Sequence, residues 1–173
     1  MSALSTAPYD GREVANFLLD YAESRKVELT QIPLLKMLYF CHGWYLVYKG
    51  APLIKNEFEA WENGPVVRVV RDAFKHFGKK KITGRARRLD LNTGEFEVVL
   101  PNISEDDQAF IVQIFEEYQA YSLWELRDLT HEAGSPWDKL WNSVGPVARF
   151  GLRLKNEEIL QHFALKAREK SVY

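Results

Sequence analysis

Cys41 and His42 stand side by side, and His131 is followed by Glu132 and then by Ser135. These are the residues whose types and spacing come nearest to chemistry. A Cys–His nucleophile needs the imidazole within hydrogen-bond reach of the thiol, but neighbours on a helix point about 100° apart. The pair therefore reads as a buried thiol beside a hydrogen-bonded histidine. His131-Glu132 opens like a helical zinc-protease motif, yet the position that needs the second histidine is Ser135. Ser135, with Asp128 and Asp138 nearby, suggests a hydrolase only at first glance. No Gly-x-Ser-x-Gly elbow surrounds it, and a serine before Pro136 is what a helix N-cap looks like. The ten glycines form neither of the standard phosphate-cradling loops. His42, His76, His131 and His162 are scattered, with no pair at ligand spacing. No catalytic residue, metal or cofactor is expected, and no enzyme class emerges.

The elements that would position these residues are mostly helical. Asp10 can cap a first helix in which Val14, Phe17, Leu18 and Tyr21 recur at helical spacing. Thr30 and Gly50 bracket a second, LLKMLYFCHGWYLVY, apolar on nearly every face and so expected at the centre, wrapped by other helices. Gly43 in its middle reads as a close packing point between helices. Phe58 to Trp61 alternates as a strand or extended arm. Asn63-Gly64-Pro65 then makes a turn that places Pro65 at the first position of a third helix. That helix has a stripe of Val66, Val69, Val70, Ala73, Phe74 and Phe77, with Arg68, Arg71 and Lys75 opposite. Arg85 to Pro101 alternates about Asn92-Thr93-Gly94 as a β-hairpin. Ser104 with Asp107, Ser122 with Glu125, Ser135-Pro136 and Asn156 cap four further helical segments. The expected fold is mainly α: about six to seven helices around a central apolar helix, with a small antiparallel β-hairpin insertion, one domain over residues 1–173 with its core at about 10–163.

Composition sets the class. The 173 residues are 46% hydrophobic and 27% charged, enough for a proper core and unlike disordered or disulfide-scaffold chains. The single Cys41 forms no internal disulfide and fits a reducing compartment. Residues 1–10 carry no basic flank and no apolar run, so no signal peptide is read. The most apolar stretch, Leu34 to Tyr48, contains Lys36 and His42 and falls short of a membrane span. A cytoplasmic protein is expected.

Net charge is −1, but the charge is segregated. From Arg68 to Arg88 there are nine Lys or Arg against Asp72 alone, a local +8; from Ser104 to Asp138 there are nine acids against Arg127 alone, a local −8. Both runs can be solvated faces that partly neutralise each other. They can equally form charged docking surfaces. Phe74 and Phe77 belong to the core stripe, so stacking on single-stranded nucleic acid is not expected of the basic block.

Three phrases in one order, KMLYFCHGWYLVYKGAPL (Lys36 to Leu53), FEAWENGPVV (Phe58 to Val67) and LTHEAGSPWDK (Leu129 to Lys139), resemble the Panacea or SocA-like domain family, met also as phage-associated GepA-like proteins. The resemblance covers about Asp10 to Phe163. It implies an antitoxin of a toxin–antitoxin system that neutralises a cognate protein toxin, encoded by a neighbouring gene, by direct protein–protein binding. Family partners include alarmone synthetases, RNA-targeting enzymes and membrane-active peptides. One branch of the family instead acts as a proteolytic adaptor, delivering its toxin to a AAA+ protease. Some members carry a DNA-binding helix-turn-helix, for which the residues before Asp10 and after Phe163 leave no room, so autoregulation by this chain alone is not expected. Physically, each phrase also reads as fold maintenance: a buried helix, a turn, and a helix stop followed by a cap.

A family with such varied partners should keep its scaffold and vary its contact surface. The expected partner-binding residues therefore lie on the charged faces: Trp61, Arg68, Arg71 and Lys75 on the basic side, and Glu125, Asp128, Glu132 and Asp138 on the acidic side, chosen for hot-spot chemistry. A nucleic-acid-binding module using residues 68–88 is the alternative of another class and predicts salt-sensitive retention.

Overall fold

A computed structural model describes residues 5–171. Its helices are α1 (Gly11–Ser24), α2 (Gln31–Lys49), α3 (Arg68–Phe74), α4 (Glu105–Tyr118), α5 (Leu123–Thr130), α6 (Pro136–Asn142) and α7 (Asn156–Lys170). The strands are β1 (Phe58–Trp61), β2 (Gly64–Val67), β3 (Arg87–Leu89), β4 (Phe96–Val98) and β5 (Arg153–Leu154), with short 3-10 turns at Lys75–Phe77 and Pro146–Ala148. The mainly helical fold read from the sequence is the fold observed.

The centre of the molecule is α2. Every residue from Leu34 to Leu46 is buried, and α1, α3, α4, α5, α7 and β2 all pack around it. A helix apolar on all sides has no solvent face to offer, so it can only be enclosed. Gly43 is the closest approach: a Cβ there would run into the ring of Phe163 on α7. The ring of Phe40 stacks on Tyr118 at 4.2 Å, and the Trp44 indole N–H donates to the Tyr118 hydroxyl at 2.8 Å.

The expected caps set most of the helix starts. Asp10 accepts from the Arg12 amide, Ser104 from the Asp107 amide, and Ser135 from the Asp138 amide, while Ser122 and Glu125 form a reciprocal capping box. Asn156 departs from expectation: it is the first residue of α7, and its side-chain oxygen lies 2.8 Å from His42 Nε2. The helix start is set by Lys155, and the Asn156 side chain satisfies a buried imidazole instead.

The third helix also differs. Residues Gly64–Val67 form a strand paired antiparallel with β1 (Trp61 opposite Gly64, Phe58 opposite Val67), and α3 starts only at Arg68. The β-branched Val66 and Val67 suit a buried strand. Pro65 is tolerated because the sheet order is β2-β1-β5, which puts it on an edge strand where a missing N–H costs nothing. Val66, Val70 and Phe74 are buried as expected, whereas Val69 faces solvent.

The β3–β4 hairpin is anchored at its base by Asn16 on α1. Its amide nitrogen donates to the carbonyls of Ala86 (3.1 Å) and Val99 (2.7 Å), and its oxygen accepts from the Ala86 amide at 2.8 Å. Both strands above that clamp are exposed throughout.

Candidate protein-docking face

Residues 59 and 61 of β1 point to one side of the sheet, and residues 68 and 71 lie one turn apart on α3. The hairpin of β1 and β2 brings the two pairs together. The Glu59 carboxylate accepts two hydrogen bonds from the Arg68 guanidinium, at 3.0 and 2.9 Å, and a third from the Trp61 indole at 2.8 Å. Burial raises the Glu59 carboxyl, but the hydrogen bonds from Arg68 and Trp61 outweigh it and hold the group below its usual range. One carboxylate thus fixes both a tryptophan and an arginine. The Arg71 guanidinium lies 4.9 Å from the Trp61 ring centre and that of Arg68 lies 5.6 Å away, within cation–π range.

The C-terminal third of the chain adds a second wall. The Trp137 indole N–H donates to the Trp61 carbonyl at 2.7 Å, and Trp137 stacks on Trp141 with ring centres 5.6 Å apart. Arg149 sits 4.7 Å from the Trp141 ring and donates to the Trp141 carbonyl. Phe150, largely exposed, lies 5.6 Å from Arg68. Ala60, Trp61, Arg68, Trp141, Arg149 and Phe150 line a cleft of about 270 Å3. Trp, Phe and Arg around an apolar recess are the residue types that anchor protein interfaces.

Of the basic candidates, the structure brings Trp61, Arg68 and Arg71 into this one face, with Lys75 at its margin. Asp72 bridges Arg71 (3.0 Å) and Lys75 (3.6 Å). Glu59, Trp141, Arg149 and Phe150 were not among the partner-binding candidates read from the sequence, because only the β1–β2 hairpin and the packing of α6 bring them there. Three of the four acidic candidates are engaged locally. Glu125 accepts from the Ser122 amide in the capping box, Asp138 accepts from the Gly134 amide and the Asn142 side chain, and Glu132 pairs with Lys166 at 2.5 Å. Asp128 is exposed.

Among the described residues the two charge blocks form no ion pairs with each other. Among the described ion pairs, Arg85 meets Asp20 and Glu23, Lys81 meets Glu28 and Arg68 meets Glu59, while Glu116 meets Arg25, Glu117 meets Lys170 and Glu132 meets Lys166. Each block finds its counter-charges outside the other.

Beneath the face, the three sequence phrases meet in the interior. Lys36 of α2 is buried, and its Nζ donates to the Pro65 carbonyl at 3.4 Å. A Cβ on Gly64, which sits at φ +102°, would lie 2.6 Å from that Nζ and 2.7 Å from Thr130 Oγ1. His131 stacks on Trp137 at 3.6 Å. Burial pushes the Lys36 ammonium down to about 7, with repulsion from Arg127 adding to it. The phrases are therefore joined to one another through Lys36, Gly64, His131 and Trp137, inside the protein rather than on its surface. Cys41 is fully buried, and the His42 ring bonds to Asn156 and the Ile54 amide, not to the thiol. Ser135 Oγ donates to the Thr130 carbonyl and accepts at its cap. Among the described residues no three His, Cys, Asp or Glu are grouped to hold a metal ion, and no helix is long and apolar enough to cross a membrane.

The fold is thus a helical scaffold with an arginine–tryptophan face on its surface. The model of the family described as "Antitoxin SocA-like, Panacea domain" matches residues 34–138. The chain is also 36% identical, over 163 residues, to Antitoxin SocA of Caulobacter vibrioides (strain NA1000 / CB15N), a match covering 94% of this chain and 87% of the relative. The chain belongs to the SocA-like, Panacea antitoxin domain family. No solved structure matches it.

Proposed function

We propose that this protein is an antitoxin that neutralises a cognate protein toxin by binding it directly, through the face formed by Trp61, Arg68, Arg71 and Lys75 with Trp141, Arg149 and Phe150. Membership of an antitoxin family supports the role. The observation that carries the mode is the Glu59-locked Trp61–Arg68 pair at the mouth of the aromatic cleft. Side chains held in place before binding lose little entropy on binding. The matching toxin segment has an apolar side chain for the cleft and carboxylates for the arginines. A stable complex of this kind buries about 1,200–2,000 Å2 in total. The acidic set of Glu125, Asp128, Glu132 and Asp138 is the competing surface, with Asp128 its most available carboxylate.

The test is co-expression with the product of the neighbouring small reading frame, followed by pull-down and growth. Parent protein and the charge reversal Asp128→Lys with Glu132→Lys should restore growth and yield a stoichiometric complex. Arg68→Glu with Arg71→Glu should do neither while remaining folded. Rescue by both double variants overturns the assignment of the face; rescue without a recoverable complex overturns direct binding in favour of delivery to a protease.

A further inference from the structure

Under the docking face lies a cluster built from groups of one charge. Lys36 on α2 is almost wholly buried, and its Nζ makes a single long hydrogen bond, the one to the Pro65 carbonyl at 3.4 Å. Arg127 and His131, one turn apart on α5 and its C-cap, are partly buried. Three buried side-chain atoms lack a hydrogen-bond partner among the described residues. Two of them are here, Arg127 Nε and His131 Nε2; the other is the Tyr39 hydroxyl, one turn beyond Lys36 on α2. After burial, which is the larger cause, Arg127 lowers Lys36, and Arg127 and Lys36 lower His131. The three side chains are thus near enough to act on one another.

No carboxylate answers them. Among the described residues neither Lys36 nor Arg127 has an ion-pair partner. Glu132 is held by Lys166 at 2.5 Å and faces His162 at 3.8 Å. Asp128 draws a proton towards His131, but it is exposed and pairs with neither cation. At Gly64 the position a Cβ would take lies 2.6 Å from Lys36 Nζ and 2.7 Å from Thr130 Oγ1. Only glycine leaves that space to the two polar atoms.

We infer that Lys36, Arg127 and His131 form a binding site for a single oxyanion, a phosphate or carboxylate group. Lys36 is its floor, and the partly buried Arg127 and His131 are its rim, open to solvent. Two cations gathered inside a protein repel each other, and the cost of placing them there is offset by an anion between them. An oxyanion accepts from Nζ and Nε together, in charge-assisted bonds that the low local dielectric strengthens. With the anion in place His131 takes up a proton and adds Nε2 as a third donor. The site does not rest on the toxin-binding reading, and its test uses the chain alone.

Thermal melting of the full chain at pH 7 tests it, with phosphate or acetate set against chloride at equal ionic strength. At about 10 mM anion, a site with a dissociation constant of about 1 mM raises the melting temperature by about 3–6 °C. The parent should show that rise, and calorimetry should count one anion per chain. Lys36→Met and Arg127→Gln should lose it while remaining folded by circular dichroism. Lys79→Gln, at an exposed lysine outside the cluster, should keep it. With the anion present the His131 ring should titrate above its value of about 4, which a general effect of salt on folding would not produce. A rise with acetate assigns the site to carboxylates, which a protein partner carries; a rise with phosphate alone assigns it to phosphate groups. No rise with either anion overturns the inference. So does a rise that survives both Lys36→Met and Arg127→Gln, since exclusion of phosphate from protein surfaces stabilises any fold.

Discussion

The indole N–H of Trp137 donates to the carbonyl of Trp61 at 2.7 Å, tying the first turn of α6 to the end of β1. The Trp137 ring is mostly buried, with His131 stacked on one side of it and Trp141 packed beside it. Through this bond the C-terminal third of the chain supports the face that Trp61 presents. Trp137→Phe keeps a ring for the stacks but leaves the Trp61 carbonyl unpaired. The expected loss is about 1–2 kcal/mol in chemical denaturation, with a parallel fall in toxin affinity measured by calorimetry. A variant with parental stability and affinity would show that the bond supports nothing.

Glu59→Gln separates positioning from fold. It weakens the bonds that hold the half-buried Trp61 and Arg68 and removes no apolar contact. Toxin affinity should fall about 5–10-fold, equivalent to about 1–1.4 kcal/mol. The melting temperature should fall only modestly, because the neutral amide is easier to keep in the largely buried Glu59 position than a carboxylate and Arg68 can turn to solvent.

Gly43→Ala should destabilise the protein by about 2 kcal/mol, although alanine is the better helix former. The added methyl meets the Phe163 ring. Combining it with Phe163→Leu should cost less than the sum of the two single changes, a coupling that denaturant titration of the four proteins measures directly.

Lys36 makes stability depend on pH above neutrality. Its folded value of about 7 lies below the 10.5 of an exposed lysine, so between the two the unfolded chain binds the extra proton. Stability should therefore rise from pH 7 towards pH 10.5 through this group, and be flat in it below pH 7, where both states are protonated. Lys36→Met should be more stable than the parent at pH 7 and lack that rise. Urea titrations at pH 7, 8 and 9 compare the two slopes, and equal slopes would sink the assignment.

His42 contributes to the acid limb, together with His131, which burial also lowers to about 4. The Ile54 amide donates to Nδ1, so the proton sits on Nε2 and is shared with Asn156. Burial lowers the ring to about 4 against 6.5 when exposed, outweighing the hydrogen bond to Asn156. The unfolded chain takes up the proton first, and stability should fall as pH drops from 6.5 towards 4. His42→Gln should make this limb shallower in acid-titrated melting curves, and His42→Gln with His131→Gln shallower still.

The sequence by itself determined the helical fold, the central place of α2, the caps at Asp10, Ser104, Ser122 and Ser135, and the family. Each rests on local information: a helix without a polar face must be enclosed, and a serine one to three residues ahead of free amides caps them wherever the helix lies. It also named Trp61, Arg68 and Arg71 as surface candidates, because residue type and helical side are legible in one dimension. Only the tertiary structure decided that Gly64–Val67 pairs as a strand, since that depends on β1 and on an edge where Pro65 is harmless. Packing alone brought Trp141, Arg149 and Phe150 to Trp61 across some eighty residues. It also turned Leu89, Leu91 and Phe96 outward: alternation says that a hairpin has an apolar face, but not whether this chain or another covers it.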